Sequence, residues 1–228
     1  MAVVGIDKLS LLDYEDKVSC VLFTQACNFR CPFCHNGTSV LESEEEIIFD
    51  DILAYLKTRV GLIDAVVFSG GEPTLEPSLI NMIKQVKELG FLIKLDTNGT
   101  NPDILEKLLK ENLLDYVAMD IKNSPSLYAK TCGINHLDLD KIKRSIALII
   151  NDAPDYEFRT TLVKEFHQDT NYVEYLSLIK GAKKLYLQKF VDRDSCIQKG
   201  LHELDIIEAE KLKNDLNKEI PFVKLRGY

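Results

Sequence analysis

Short runs of apolar and β-branched residues recur along the chain, each followed by a stretch in which apolar residues return every three or four positions. The runs lie at 18–24 (VSCVLFT), 63–69, 91–97, 115–121, 156–163 and 183–190. They are near-continuous rather than alternating, as strands are when both faces of a parallel sheet are covered. Between them, helical spacing predicts helices within 43–59, 77–90, 101–112, 138–151 and 170–181. Ser43 with Glu46 three residues on reads as a capping box, and Gly90 and Gly181 stand where helices should stop. The acidic run Glu44–Glu46 then falls in a first turn, where carboxylates favour the helix dipole.

Six such units in succession predict an α/β fold with right-handed crossovers. A closed eight-unit barrel takes about 250 residues. The chain has 228 and is two units short, so the expected form is a partial, open β/α barrel of about six parallel strands. We expect a single domain over 1–228, with its core at about 17–190 and a further helix and strand within 203–228.

Composition narrows the function. A net charge of −8 lacks the basic excess of a nucleic-acid binder. No run approaches the roughly 18 apolar residues of a membrane span, and the N-terminal stretch has neither the basic nor the apolar region of a secretory signal. The expectation is a cytoplasmic protein in which the six cysteines are reduced.

Three of those cysteines, Cys27, Cys31 and Cys34, fall within eight positions on the segment that follows the first parallel strand. That end of a β/α barrel is where its chemistry sits. Soft thiolates select zinc, copper(I) or iron–sulfur clusters. Zinc needs a fourth ligand, and His35, adjacent to Cys34, is poorly spaced for it. A thiol redox pair of Cys31 and Cys34 leaves Cys27 without a role. A 4Fe–4S cluster held by three cysteines keeps one iron open for a substrate or cofactor.

The Cys-x-x-x-Cys-x-x-Cys loop resembles the signature of the radical S-adenosylmethionine (radical SAM) enzymes. The blocks KLSLLDYEDKVSCVLFTQACNFRCPFCHN, VVFSGGEPTL, LDTNGTNP, VAMDIKNSP, EFRTTLVKEFH and YLQKF are similar, in order, to those of glycyl-radical-enzyme activating proteins. The resemblance is strongest to activators of the anaerobic ribonucleoside-triphosphate reductase. It implies one 4Fe–4S cluster on Cys27, Cys31 and Cys34, with S-adenosylmethionine on the open iron. Reductive cleavage would yield methionine and a 5′-deoxyadenosyl radical that takes a hydrogen atom from a glycine of a partner enzyme. A flavodoxin- or ferredoxin-like protein would donate the electron, under anaerobic conditions. The rival readings are a radical SAM enzyme acting on a small molecule, such as a deazaguanine synthase, and a non-catalytic metal-binding protein. Many deazaguanine synthases have threonine after the third cysteine, where this chain has His35.

Further residues follow from the same blocks. Gly70 and Gly71 of SGGEP let backbone approach a ligand and offer it amides. The resemblance places Glu72 beside the cofactor's amino group and Asn98 in the same pocket. Asp96 and Asp120 end neighbouring strands and would repel unless paired or bridged by a cation. The resemblance implies a monovalent cation at Asp96, Thr97 and Asp120, with a carbonyl from Ala118. Lys122 and Arg159 are candidates for the cofactor carboxylate, Gln188 for adenosine and Phe33 for the adenine face. Cys20 reads as a buried apolar residue and His136 and His202 as surface residues. Cys132, Cys196 and His167 have no assigned role.

Single replacement of Cys27, Cys31 or Cys34 by alanine is expected to abolish or destabilise the brown iron–sulfur absorbance of the reconstituted protein. The Cys20→Ala, Cys132→Ala and Cys196→Ala proteins are expected to keep it.

Overall fold

The computed structural model describes residues 3–42 and 44–228, without the side chains of Thr38 and Ser39. All described strands join one eight-stranded sheet in chain order. Strand β1 (Val3–Ser10) pairs antiparallel with β2 (Ser19–Thr24). Strands β3 (Ala65–Gly70), β4 (Leu92–Thr97), β5 (Tyr116–Asp120), β6 (Tyr156–Leu162), β7 (Lys184–Lys189) and β8 (Phe222–Arg226) then follow in parallel. All six expected strands are present, and β8 adds a seventh parallel strand beside β7. β1 was not anticipated. Its residues are mostly half-exposed or exposed, so it lacks the apolar run that marks a covered strand.

The helices are α1 (Gly37–Leu41), α2 (Phe49–Lys57), α3 (Leu79–Glu88), α4 (Pro102–Lys110), α5 (Tyr128–Thr131), α6 (Leu139–Asp152), α7 (Lys164–His167), α8 (Tyr172–Leu178) and α9 (Ile206–Leu216). Gly90 and Gly181 follow their helices at φ +92° and +89°, the left-handed geometry a helix stop favours. One start is corrected. Helix α2 begins at Phe49, and Glu44–Glu46 precede it outside any helix. The amide of Ile47 donates to Val3 O of β1 at 2.8 Å, so a tertiary hydrogen bond holds this segment against the sheet. Asp50 and Asp51 are the acids of the first turn instead. Ser43 lies outside the described residues, and the capping-box reading with it.

The outward strand faces, among them Val66, Phe68, Ile93, Leu95, Val117 and Met119, pack with helix residues such as Ile83, Val86, Leu108 and Ile149 in the main core. The inward faces carry a smaller cluster of Tyr14, Val21, Ala65, Val67, Tyr116 and Ala118. Charged residues share this interior. Glu157 of β6, 1% exposed, accepts hydrogen bonds from Arg226 Nη1 and Nη2 (3.2 and 3.1 Å) and from Tyr116 Oη (3.2 Å). Lys94 Nζ and Arg159 Nη1 approach the same carboxylate at 3.9 and 4.0 Å. Arg226, on the last strand, also stacks 3.7 Å from the Tyr186 ring centroid. The interior is therefore laced by charge from β4 to β8.

Glu157→Gln removes the charge that offsets these cations. Breaking such a buried arrangement from one side costs about 3–5 kcal/mol. The expected result is a lower urea midpoint with an unchanged m-value.

Candidate active site

Five parallel strands deliver residues to one cleft, which with its mouth encloses about 880 Å³. After β2 comes the cysteine loop, and Cys27, Cys31 and Cys34 all line the cleft. So do Ser69 to Glu72 after β3, Asp96 to Asn98 at β4, Asp120 and Lys122 at β5, and Arg159 and Thr161 of β6. The chemistry thus sits at the C-terminal ends of the strands, as the barrel form predicts.

The cysteine loop and the SGGEP turn are joined through backbone. Gly71 N donates to Thr24 O (2.9 Å) and Glu72 N to Ala26 O (2.8 Å). A Cβ on Gly71 would stand 1.8 Å from Ala26 O, so only glycine permits this approach. Ala26 itself takes a left-handed φ of +66°. This corrects the expectation for the turn. The amides of Gly71 and Glu72 are engaged by Thr24 at the end of β2 and by Ala26 of the cysteine loop rather than offered to a ligand. Asn36 Nδ2 adds a bond to Gly70 O at 3.0 Å.

Glu72, 1% exposed, fastens the next strand end to that junction. Its carboxylate accepts from Thr74 N (3.1 Å) and Oγ1 (2.5 Å), Thr97 Oγ1 (2.8 Å) and Asn98 N (2.6 Å). Burial pushes its pKa up, against the pull of these donors. Asn98 then reaches back, with Nδ2 2.8 Å from Asn28 Oδ1 and 3.8 Å from Cys27 Sγ.

Asp96 and Asp120 do converge, and Arg159 stands between them. Its Nε lies 2.9 Å from Asp120 Oδ1 and its Nη1 3.3 Å from Asp96 Oδ2. Lys122 Nζ takes the other oxygen of Asp120 at 2.9 Å. Burial alone would raise Asp120, but Arg159 and then Lys122 hold it well below the usual carboxylate range. Asp120 in turn overcomes the effect of burial on Lys122 and Arg159 and raises both. Ser69 Oγ donates to Asp96 Oδ2 at 3.0 Å, while the buried Asp96 Oδ1 has no hydrogen-bond partner and faces Lys94 Nζ at 3.7 Å.

Among the described residues, no three His, Cys, Asp or Glu side chains converge as a single metal ion would require. The donor set is three soft thiols spread along one cleft, which suits an iron–sulfur cluster. Burial, then the Glu72 charge, pushes Cys27 up to about 12, and burial raises Cys34. Cys31 is drawn down, first by interaction with the neighbouring Cys132 and against its own burial. The Lys122 charge favours the thiolate at all three positions.

Phe33 lines the cleft and also packs on Phe166, with ring centroids 5.9 Å apart. Gln188 is half-buried on β7 and is not among the residues that line the cleft. His35 Nε2 donates to Val191 O at 2.9 Å, which holds it to the segment after β7. Cys20 is fully buried in the core, while His136 and His202 are exposed. His167 is 2% exposed, accepts Val163 N at Nδ1 (3.0 Å) and donates from Nε2 to Lys122 O (2.9 Å), a structural tie behind the lysine. Sequence reasoning missed Ser69, Thr161 and Lys94. A lysine inside the apolar run FLIKLDT was the available signal for the last.

Residues 21–182 match the Radical SAM superfamily. The chain belongs to that superfamily. The family implies a 4Fe–4S cluster and S-adenosylmethionine, and the three cleft cysteines are the donors present for the cluster. A protein of Methanocaldococcus jannaschii with the provisional name glycyl-radical enzyme activating enzyme is 37% identical over 196 residues, 84% of this chain and 80% of its own length. The pyruvate formate-lyase-activating enzyme of Clostridium pasteurianum is 34% identical over 125 residues, 52% of this radical SAM chain and 51% of its own. SuiB of Streptococcus suis bound to S-adenosylmethionine shares the fold, with a TM-score of 0.70 at 14% identity over 91% of this chain and 50% of its own.

Asp120→Asn leaves Arg159 and Lys122 without their shared partner and is expected to cost about 2–3 kcal/mol, the loss of charged hydrogen bonds. Because folding depresses Asp120, its contribution is complete above the unfolded pKa of about 3.9 and fades as pH falls through the lower folded value. Urea titrations at stepped pH should therefore show a flatter acid limb for the variant than for the wild type.

Proposed function

We propose that this radical SAM protein is an activating enzyme that generates a glycyl radical on a partner enzyme. The observation that carries the reading is the cleft itself, in which three thiols face a set of strand-end charges already paired with one another. Glu72, Asp120, Lys122 and Arg159 are each engaged within the protein, so none stands ready as a proton carrier. Such a site binds and orients. When bound, the cluster and S-adenosylmethionine supply reductive cleavage and hydrogen-atom abstraction.

The chain's own residues have these proposed roles. Cys27, Cys31 and Cys34 hold the cluster, and Lys122 offsets the charge of the thiolates. Lys122 and Arg159 face the cofactor carboxylate, as planar or point cations suited to it. Gly70, Gly71, Glu72 and Asn98 form the wall beside its amino group, and Phe33 offers an apolar face to the base. Gln188 would reach the adenosine only from outside the cleft lining. A monovalent cation at Asp96, Thr97 and Asp120 belongs to the same reading, and its support is the buried Asp96 Oδ1, which has no hydrogen bond and only the Lys94 ammonium at 3.7 Å. The proposed partner is the anaerobic ribonucleoside-triphosphate reductase, with electrons from a flavodoxin- or ferredoxin-like protein in the cytoplasm. We assign all of this to one domain over 1–228.

The test uses anaerobically reconstituted protein. Reduced alone, it should slowly convert S-adenosylmethionine to methionine and 5′-deoxyadenosine. With the reductase present, a glycyl radical should appear by electron paramagnetic resonance, and deuterium on the target glycine should appear in 5′-deoxyadenosine. Cleavage without deuterium transfer from any glycyl-radical enzyme would make this a radical enzyme for another substrate. Exchange of potassium for choline should weaken cofactor binding if the cation is held, and leave it unchanged otherwise.

A further inference from the structure

Lys94 sits inside strand β4, two residues before Asp96, so the two side chains share the inward face of the sheet. It is 3% exposed. A buried ammonium is costly without partners, and the barrel interior supplies them. Nζ donates to Asp13 O of the β1–β2 connection and lies 3.9 Å from Glu157 Oε1. It also stands 5.2 Å from the Tyr116 ring centroid and 6.0 Å from that of Tyr14.

These contacts hold the ammonium short of Asp96. Nζ comes to 3.7 Å from Asp96 Oδ1, within ion-pair range but beyond a hydrogen bond. Oδ1 is buried and accepts no hydrogen bond. The other oxygen is engaged, by Ser69 Oγ at 3.0 Å and Arg159 Nη1 at 3.3 Å. Asp96 lines the cleft, and Lys94 is not among its lining residues. Oδ1 thus keeps its lone pairs while its charge is offset by a neighbour that does not bond it.

The interior charges pair off in the same way throughout. Glu157 is met by Arg226, Asp120 by Arg159 and Lys122, and Asp96 by Lys94 together with Arg159. Every one of these carboxylates has a cation from the chain itself. A further cation at Asp96, Thr97 and Asp120 would enter a site already balanced, and the Lys94 ammonium would repel it through an interior that screens poorly. Without that ammonium, Asp96 would have only its share of Arg159, and an ion from solution would make good the difference. We propose that Lys94 sets how strongly this site holds a monovalent cation, because its ammonium supplies from within the barrel the positive charge that the ion would otherwise bring. The native site therefore holds the ion weakly. Lys94 acts through Asp96, as a positioning residue. The inference rests on the cation reading of Asp96, Thr97 and Asp120.

The test measures S-adenosylmethionine affinity by calorimetry on the anaerobically reconstituted protein, with potassium stepped against choline at constant ionic strength. The readout is the potassium concentration at half effect. Wild type is compared with Lys94→Met, which keeps the length and loses the charge, and with Lys94→Arg, which keeps the charge. Lys94→Met should reach half effect at about tenfold less potassium than wild type, or gain a response that wild type lacks, and Lys94→Arg should stay within about threefold of wild type. Equal half-effect concentrations in wild type and Lys94→Met overturn the inference and leave the cation reading standing. A Lys94→Arg shift as large as that of Lys94→Met also overturns it, since fit and not charge would then decide. If Lys94→Met does not fold with its cluster, Lys94→Gln is judged by the same criteria, and failure of both overturns the inference. A protein that binds S-adenosylmethionine without any response to potassium, with or without Lys94, refutes the cation reading and the inference with it.

Discussion

The Arg159 guanidinium, set between Asp120 and Asp96, is the contact on which the site depends. It is a consequence of parallel register. Asp120 of β5 lies directly beside Arg159 of β6, and Asp96 of β4 beside Ala118 of β5. Three charges thus reach the barrel mouth within two strand spacings. Two carboxylates drawn to one mouth repel in a low-dielectric interior unless a cation stands between them. The guanidinium is that cation, and its fork serves both at once. Below it, Glu157 draws in Lys94 and Arg226, so the strands from β4 to β8 are joined from inside as well as by their ladders.

A second constraint fixes the cysteine loop relative to that charge array. The loop is held through its backbone at Ala26 by the Glu72 amide, and the strand end that leads into it, Thr24, by the Gly71 amide. Glu72 then carries the connection to Thr97 and Asn98 with its side chain. Thiols and charges therefore keep a fixed relation before any cofactor arrives. Prepaid orientation of this sort is what the protein contributes when the cofactor supplies the reactivity.

The far side of the loop is pinned as well. Gln198 N donates to Pro32 O at 2.8 Å, His35 is bonded to Val191 O, and a Cβ on Gly37 would stand 2.4 Å from Ser195 O. Cys132 and Gly133 press on the loop from behind. Segments separated by about a hundred residues or more in sequence thus fix the three motif thiols, which explains how a short loop with few apolar residues of its own keeps one conformation.

The sequence alone determined the six central strands, the open barrel form, the three cysteines and the residues at the strand ends. These are local signals. A covered strand writes itself as an apolar run, and a cysteine spacing or a glycine pair is visible without knowing the fold. What lay beyond it were the things that depend on which distant atoms meet. Edge strand β1 has no apolar run, and the segment before α2 was drawn out of a helix by one hydrogen bond to that strand. Gly71 was recognised as a site of close approach, but only the tertiary structure decided that it approaches Ala26 rather than a ligand. Asp96 and Asp120 were read as a pair in need of a cation or a partner, and parallel register made Arg159 the partner. Cys132 looked isolated because sequence distance hides contacts closed by long loops, and its turn packs against Arg30 of the cysteine loop.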